Sequence, residues 1–364
     1  MGKKHYSIQL LRFVFCIIII NYHFFSLFLR YNDVLPNYFC RGYLADEFFF
    51  MVSGFFMAQA AMKDEADRAE WTGGYILMRI RKIAIPYYLT WVLCFMGCRI
   101  ADRIAGEPLE LVSNLLNSVY ELLFLEMFGF VKGEYSNSVA WFFSGMIISI
   151  AIIGPLLKKH REKYCLCIAP VVALLMLGML SIHFDYLYYP HKVLPELPIL
   201  KGMVRALAEV NLGVFIYGIF LRSANYRLSA RNLGILKAGA VALWLCIIAY
   251  MAYPFRSNSD EVSVQYDYIF TVLIMIALAT TFIASSRSPA PAPALARIEA
   301  ALGTCSFYIF FGQPIPYTVY KWYFALPIRA RTKLVLLHLM VWAFSGIIFL
   351  LHRALQRCRP RTIK

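Results

Sequence analysis

Apolar runs long enough to cross a bilayer recur along nearly the whole chain, separated by short polar segments that are mostly basic. They are Ser7 to Leu29, Tyr43 to Met62, Ile83 to Ile100, Val139 to Leu157, Tyr164 to Phe184, Val204 to Leu221, Leu233 to Tyr253, Tyr266 to Ala284, Ala300 to Tyr320 and Lys333 to Leu351. About 20 apolar residues rising 1.5 Å each match the ~30 Å hydrocarbon core, so each run predicts one spanning helix. Leu109 to Val131 is an eleventh candidate. Its Glu121 and Glu126, with interspersed Ser and Asn, predict a half-buried or interfacial helix instead. The pattern therefore predicts an all-α, polytopic integral membrane protein of about ten transmembrane helices, forming a single domain over residues 1–364 with no separate soluble domain.

Composition agrees: of 364 residues 60% are hydrophobic and only 16% charged, and mean hydropathy is +0.61. The net charge of +15 does not point to nucleic acid, because the basic residues sit in short clusters between apolar runs, where they anchor cytoplasmic loops. A cytoplasmic N-terminus puts Lys63 to Lys82, Lys158 to Lys163, the Arg222, Arg227 and Arg231 loop and the tail from Arg353 to Lys364 inside. The C-terminus is then cytoplasmic too. Ala101 to Ser138 and the loop around Asp260 and Glu261 fall outside, whereas the basic loop Lys321 to Lys333 would be external and is discordant. The first run, longer than a signal-peptide core and without a small-x-small cleavage site, is expected to stay as a signal anchor. The nine cysteines read as small core residues, since no CxxC pair or histidine partner has metal-ligand spacing, and no metal site is expected.

Two residues in the first run are costly in lipid. Arg12 and His23 are eleven positions apart, within roughly 20° of three full turns, so both leave one helix face about 16 Å apart along the axis. An aqueous or substrate-lined cavity explains such a stripe; a snorkelling arginine and a satisfied core histidine are the plain alternative. A short hairpin brings Glu47 of the second run to the depth of His23, so a carboxylate could orient the imidazole for proton transfer. The competing reading is a contact that only joins two helices. Arg79 and Lys82, i and i+3 ahead of the third run, lie at the cytoplasmic level of Arg12, where three cations could bind phosphates or merely anchor the chain. Arg205 and Glu209, i and i+4 within a span, can neutralise one another, and Arg205 could instead touch a substrate.

Arg12 with His23, Glu47 to Phe55 (EFFFMVSGF), and Arg79-x-x-Lys82 before Pro86-Tyr87 together resemble the acyltransferase family 3 membrane O-acyltransferases, which modify bacterial surface glycans. The resemblance continues through Trp141 to Ser144 (WFFS), Arg205 to Leu207 (RAL) and Leu302 to Phe310 (LGTCSFYIF). It implies an enzyme of the bacterial plasma or inner membrane that takes an acyl group, acetyl in the first instance, from cytoplasmic acyl-CoA, with no bound cofactor. The acceptor would be a hydroxyl on an extracytoplasmic or lipid-linked carbohydrate. The resemblance carries over His23 as the essential histidine and Arg12, Arg79 and Lys82 as the family's basic motifs; with the helix geometry above, His23 and Glu47 are the expected catalytic residues, Arg12, Arg79 and Lys82 the donor site, and Ser53, Trp141, Arg205 and Gln313 candidate acceptor or supporting residues. The chain departs from many relatives at Lys82, where they have arginine, and at Gln313, where they have histidine; glutamine cannot do proton chemistry. The rival class is a transporter or flippase for a glycan or lipid-linked precursor, against which stands the lack of internal repeats.

Overall fold

The apolar runs fold as helices because backbone groups in hydrocarbon can be satisfied only within their own segment. The computed structural model describes residues 6–28, 38–130, 136–137, 139–195, 197–254 and 265–358. Asp260 and Glu261, and the tail residues Arg359, Arg361 and Lys364, lie outside them. The long helices are α1 (Tyr6–Phe28), α2 (Ala45–Lys63) and α3 (Arg68–Ala105), then, after two short ones, α4 (Leu111–Asn117) and α5 (Val119–Leu122), α6 (Ala140–Lys163) and α7 (Ala169–His183). They are followed by α8 (Lys201–Ser223), α9 (Ala230–Ala252), α10 (Gln265–Arg287) and α11 (Pro293–Gly312), the short α12 (Pro314–Thr318) and α13 (Tyr320–Ala325), and α14 (Ala330–Cys358).

Among the described residues, eight helices are long and apolar enough to cross a membrane, against the ten read from sequence. One of the eight, Ala140–His183, contains both α6 and α7, which meet at a break where Arg161 takes φ 45°, ψ −120°. The remaining difference is α2, whose 19 residues are about 28 Å long but carry Asp46 and Glu47 in the first turn. The stretch from Leu109 onward is not one helix: α4, α5 and a 3-10 turn at Glu126–Phe128 lie across the end of the bundle, with Glu121 and Glu126 turned inward.

At the centre runs α8, 78% of whose apolar stretch is buried, against half or less for every other long apolar helix. It packs on α2, α6, α7 and α10, and the α2 crossing is closest: a Cβ on Gly54 would come within 2.1 Å of the Val210 carbonyl oxygen, and one on Gly213 within 2.1 Å of that of Met51. Backbones can touch only where both helices present glycine. Helix α1 lies mainly against α11, with α14 beside that pair and α3 joining it to α6.

The loops assigned to the cytoplasm do gather at one end. Lys158 donates to the Asp64 carbonyl at 2.6 Å, Arg161 to that of Met62 at 3.0 Å and Arg287 to that of Ser223, while Arg222 meets Glu162 at 3.4 Å. Helix α3 begins there, its Asp67 side chain capping the Ala69 amide, and at 38 residues is about 57 Å long, so its first turns extend beyond the bilayer before the span proper. The discordant basic loop is at the opposite end, where Phe324 packs on Phe24. Part of its charge is internal, since Lys333 is buried and donates to the Phe324 carbonyl.

Candidate active site

Toward the basic end, Arg12, Arg79 and Lys82 converge as the sequence predicts. Arg12 Nη1 contacts Gln9 Oε1 at 3.4 Å, and Gln9 lies in the space left by Gly303 of α11, where a Cβ would come within 2.2 Å of that oxygen. Arg79 donates from Nε and Nη2 to the Tyr75 hydroxyl at 3.2 and 2.8 Å. Lys82, one turn further and exposed, is within electrostatic range of both arginines. Among the described residues no carboxylate lies within 4.0 Å of any of the three. Three like charges held together without a counter-charge form a site suited to a polyanion, because each would be stabilised by one shared anion.

Three turns along the same face, His23 is half-buried between two rings, Tyr22 at 5.0 Å and Tyr317 of α12 at 4.8 Å between centroids. Its nitrogens take no hydrogen bond from the described residues. The Tyr317 hydroxyl, buried, has no partner among the described residues, nor has Oε1 of Gln313, four residues earlier in the chain and 2% exposed. Buried polar groups without partners are costly, and the Tyr317 ring packed on the imidazole brings one such hydroxyl into the neighbourhood of His23.

The expected pairing of Glu47 with His23 does not occur. The Glu47 Oε2 atom accepts from Arg205 Nη2 at 2.6 Å, because the Gly54–Gly213 crossing puts α8, not α1, against that face of α2. Arg205 also donates to Glu209 at 3.0 Å, to the Tyr43 carbonyl at 2.9 Å and to the Leu187 carbonyl at 3.2 Å, and Asp46 is 3.8 Å away. With 1% exposure and four of its five N–H groups bonded inside the protein, Arg205 is committed chiefly to this network, and its pairing with Glu209 is as the sequence predicts. Trp141 lies beside this network, its ring 5.6 Å from the Arg205 guanidinium and packed on Phe50. Ser53, half-buried, adjoins the Gly54 crossing rather than His23.

Several positioning residues escaped the sequence reading. Asp267 of α10 accepts from the Tyr43 hydroxyl at 2.7 Å and the Leu187 amide at 3.1 Å; Lys201 donates to the Tyr188 carbonyl at 2.7 Å and to that of Tyr186. Intramembrane Asp267 and Lys201 were visible as charges at helix starts but had no local partner to announce them. Tyr317 carried a faint signal, the Pro314-Ile315-Pro316 break directly before it.

A search of curated proteins and one of solved structures each find no match. The family model described as an acyltransferase domain matches residues 5–352, from the start of α1 into α14, and includes both the cationic and the imidazole ends of α1. The chain belongs to acyltransferase family 3 and is a membrane acyltransferase.

Proposed function

We propose that the protein transfers an acyl group, acetyl in the first instance, from cytoplasmic acyl-CoA to a hydroxyl of an extracytoplasmic or lipid-linked carbohydrate in a bacterial inner membrane. One observation carries this reading. Among the described residues, a face of α1 begins at three cations with no carboxylate in reach and ends, about 16 Å on, at an imidazole with no hydrogen-bond partner. The CoA phosphates would rest on Arg12, Arg79 and Lys82, with the pantetheine arm along α1 and the thioester carbonyl beside His23.

In the transfer, His23 takes the proton of the acceptor hydroxyl as its oxygen attacks the thioester carbon. The Tyr317 hydroxyl donates to the oxygen of the tetrahedral intermediate. As that intermediate collapses the C–S bond breaks, and the imidazolium returns its proton to the thiolate, leaving an ester and free CoA. Glu47 has no part in these steps; it holds α2 to α8.

The test is incubation of membranes carrying the protein with radiolabelled acetyl-CoA, followed by extraction of lipid-linked and polymeric saccharides. Alkali-labile label in a saccharide supports transfer. Absence of label, together with saccharide movement across sealed vesicles, would support a flippase instead. Label retained by the parent protein and not by His23→Ala when acceptor is withheld would support an acyl group carried on His23.

A further inference from the structure

A groove of about 470 Å³ lies at the ends of α9 and α10 away from the basic loops, lined by none of the residues given a catalytic role. Its volume falls within the ~300–1,000 Å³ of small-ligand sites. Cys246, Tyr250, Tyr253, Tyr266 and Phe270 make an apolar and aromatic wall around one charged side chain, Arg41. Tyr253 directly follows α9 and Tyr266 lies in the first turn of α10, the depth at which aromatic side chains meet lipid headgroups. Both are well exposed, and so is Cys246, so in a bilayer this side of the bundle faces lipid.

The backbone that carries Arg41 is held against the bundle. A Cβ on Gly42 would come within 2.5 Å of the Tyr22 Cβ, and the Tyr43 ring packs on that of Tyr22 at 5.6 Å. The Tyr250 ring stacks on Phe270 with centroids 3.5 Å apart and has the Arg41 guanidinium 4.2 Å from its centroid, which fixes phenol and cation next to one another. Stacking uses the face of a guanidinium, whereas its N–H groups lie in the plane. The Tyr250 hydroxyl is buried and has no hydrogen-bond partner among the described residues. Asp267 is within electrostatic range of both groups, but its carboxylate takes the Tyr43 hydroxyl and the Leu187 amide. A cation and a phenol donor set in an apolar wall at headgroup depth match a phosphodiester whose ester arms continue into hydrocarbon.

We infer that this groove seats the phosphate of an anionic phospholipid of the outer leaflet, with Arg41 as its counter-charge and the Tyr250 hydroxyl as a hydrogen-bond donor. An arginine that only snorkels keeps its head in water, and Arg41 is 5% exposed. One that only fastens Tyr250 accounts for neither the unpartnered hydroxyl nor the volume beside it.

The experiment uses the full chain in detergent micelles with added palmitoyl-oleoyl phosphatidylglycerol or the matching phosphatidylcholine, and reads retained lipid by native mass spectrometry. Basic loops at the other end also attract anionic lipid, so the decisive quantity is the difference between parent and variants for the tightest-bound molecule. Phosphatidylglycerol is expected to bind the parent about tenfold more tightly than phosphatidylcholine, a preference that Arg41→Gln removes and Tyr250→Phe reduces. Cys246→Trp, at an exposed position, fills the groove from the lipid side and should abolish that binding even if Arg41→Gln fails to fold. Leu245→Trp, beside it on the helix and outside the lining, should leave it unchanged. Equal affinity of the parent for the two lipids, or phosphatidylglycerol retained by Cys246→Trp as by the parent, overturns the site. Displacement of the lipid by inorganic phosphate would make the groove a free-anion site and overturn the assignment to phospholipid.

Discussion

His23 and Arg205 are both polar residues inside long helices, and the protein treats them in opposite ways. Arg205 is enclosed: three carboxylates and two carbonyls surround its guanidinium. His23 has two rings against it and, among the described residues, nothing on its nitrogens. Burial therefore does not distinguish architecture from chemistry here; the partners of the positive or titratable nitrogens do, although Oε1 of Glu47 and Oε2 of Glu209 in the arginine network are themselves without a hydrogen bond among the described residues. An enclosed charge in a lipid-facing fold fastens helices together, whereas an imidazole left open beside an unpartnered hydroxyl is held ready for something that is not protein.

Five measurements would break or sharpen that contrast. The largest expected effect is His23→Ala, which should lower turnover by about 10²–10⁴-fold with an unchanged unfolding temperature; a matching loss of stability would make the histidine architectural. Arg205→Leu should do the reverse, costing about 3–5 kcal/mol of stability by stranding three carboxylates, while turnover of the protein that still folds falls far less than with His23→Ala. Glu47→Gln belongs with it, lowering yield more than turnover. Tyr317→Phe should reduce kcat by about 10²-fold with the acetyl-CoA KM unchanged, since it removes one donor to the intermediate and nothing from the donor site. Arg12→Ala should raise the acetyl-CoA KM by about tenfold and Arg12→Lys by less, because lysine keeps the charge and loses the fork.

The smallest effect is one of pH on the layer opposite the basic end. Burial holds the Glu121 carboxyl up to about 7 and that of Glu126 well above the usual carboxylate range, and pulls the His191 imidazole down to about 4. Each raised carboxyl stabilises the fold fully below its unfolded value and loses that contribution as pH rises through its folded value. The lowered imidazole acts oppositely, losing stability as pH falls below about 6.5 toward its folded value. Two protons bound against one released leave a net of one, so stability should fall by about 1.4 kcal/mol per unit as pH rises from roughly 5 to 6.5. Unfolding temperatures at these two pH values would show it, and Glu121→Gln should flatten the slope.

What was legible in the sequence is what lies along single helices. Arg12 and His23 share a face because of helical pitch, and Arg79 with Lys82 because of their spacing. The pairing of Arg205 with Glu209 is likewise an i, i+4 relation. The partner of Glu47 was not legible, since Arg205 is 158 positions away and arrives only through the crossing of two glycines. Connectivity suggested the neighbouring helix, α1; packing chose α8. The His23 surroundings were half visible for the same reason: the imidazole could be placed from its own helix, but Tyr317 and Gln313 come from a break after the ninth apolar run, whose return against α1 no local pattern encodes.

The crossing of Gly54 and Gly213 also works as a fulcrum. Above it, about 10 Å along α2, sits Glu47, and through Arg205 the lever reaches Tyr43, Leu187 and the rings that lead to His23. A single methyl group there, as in Gly213→Ala, would prise the two rods apart and swing everything beyond them, so that a substitution touching no substrate would be felt at the imidazole.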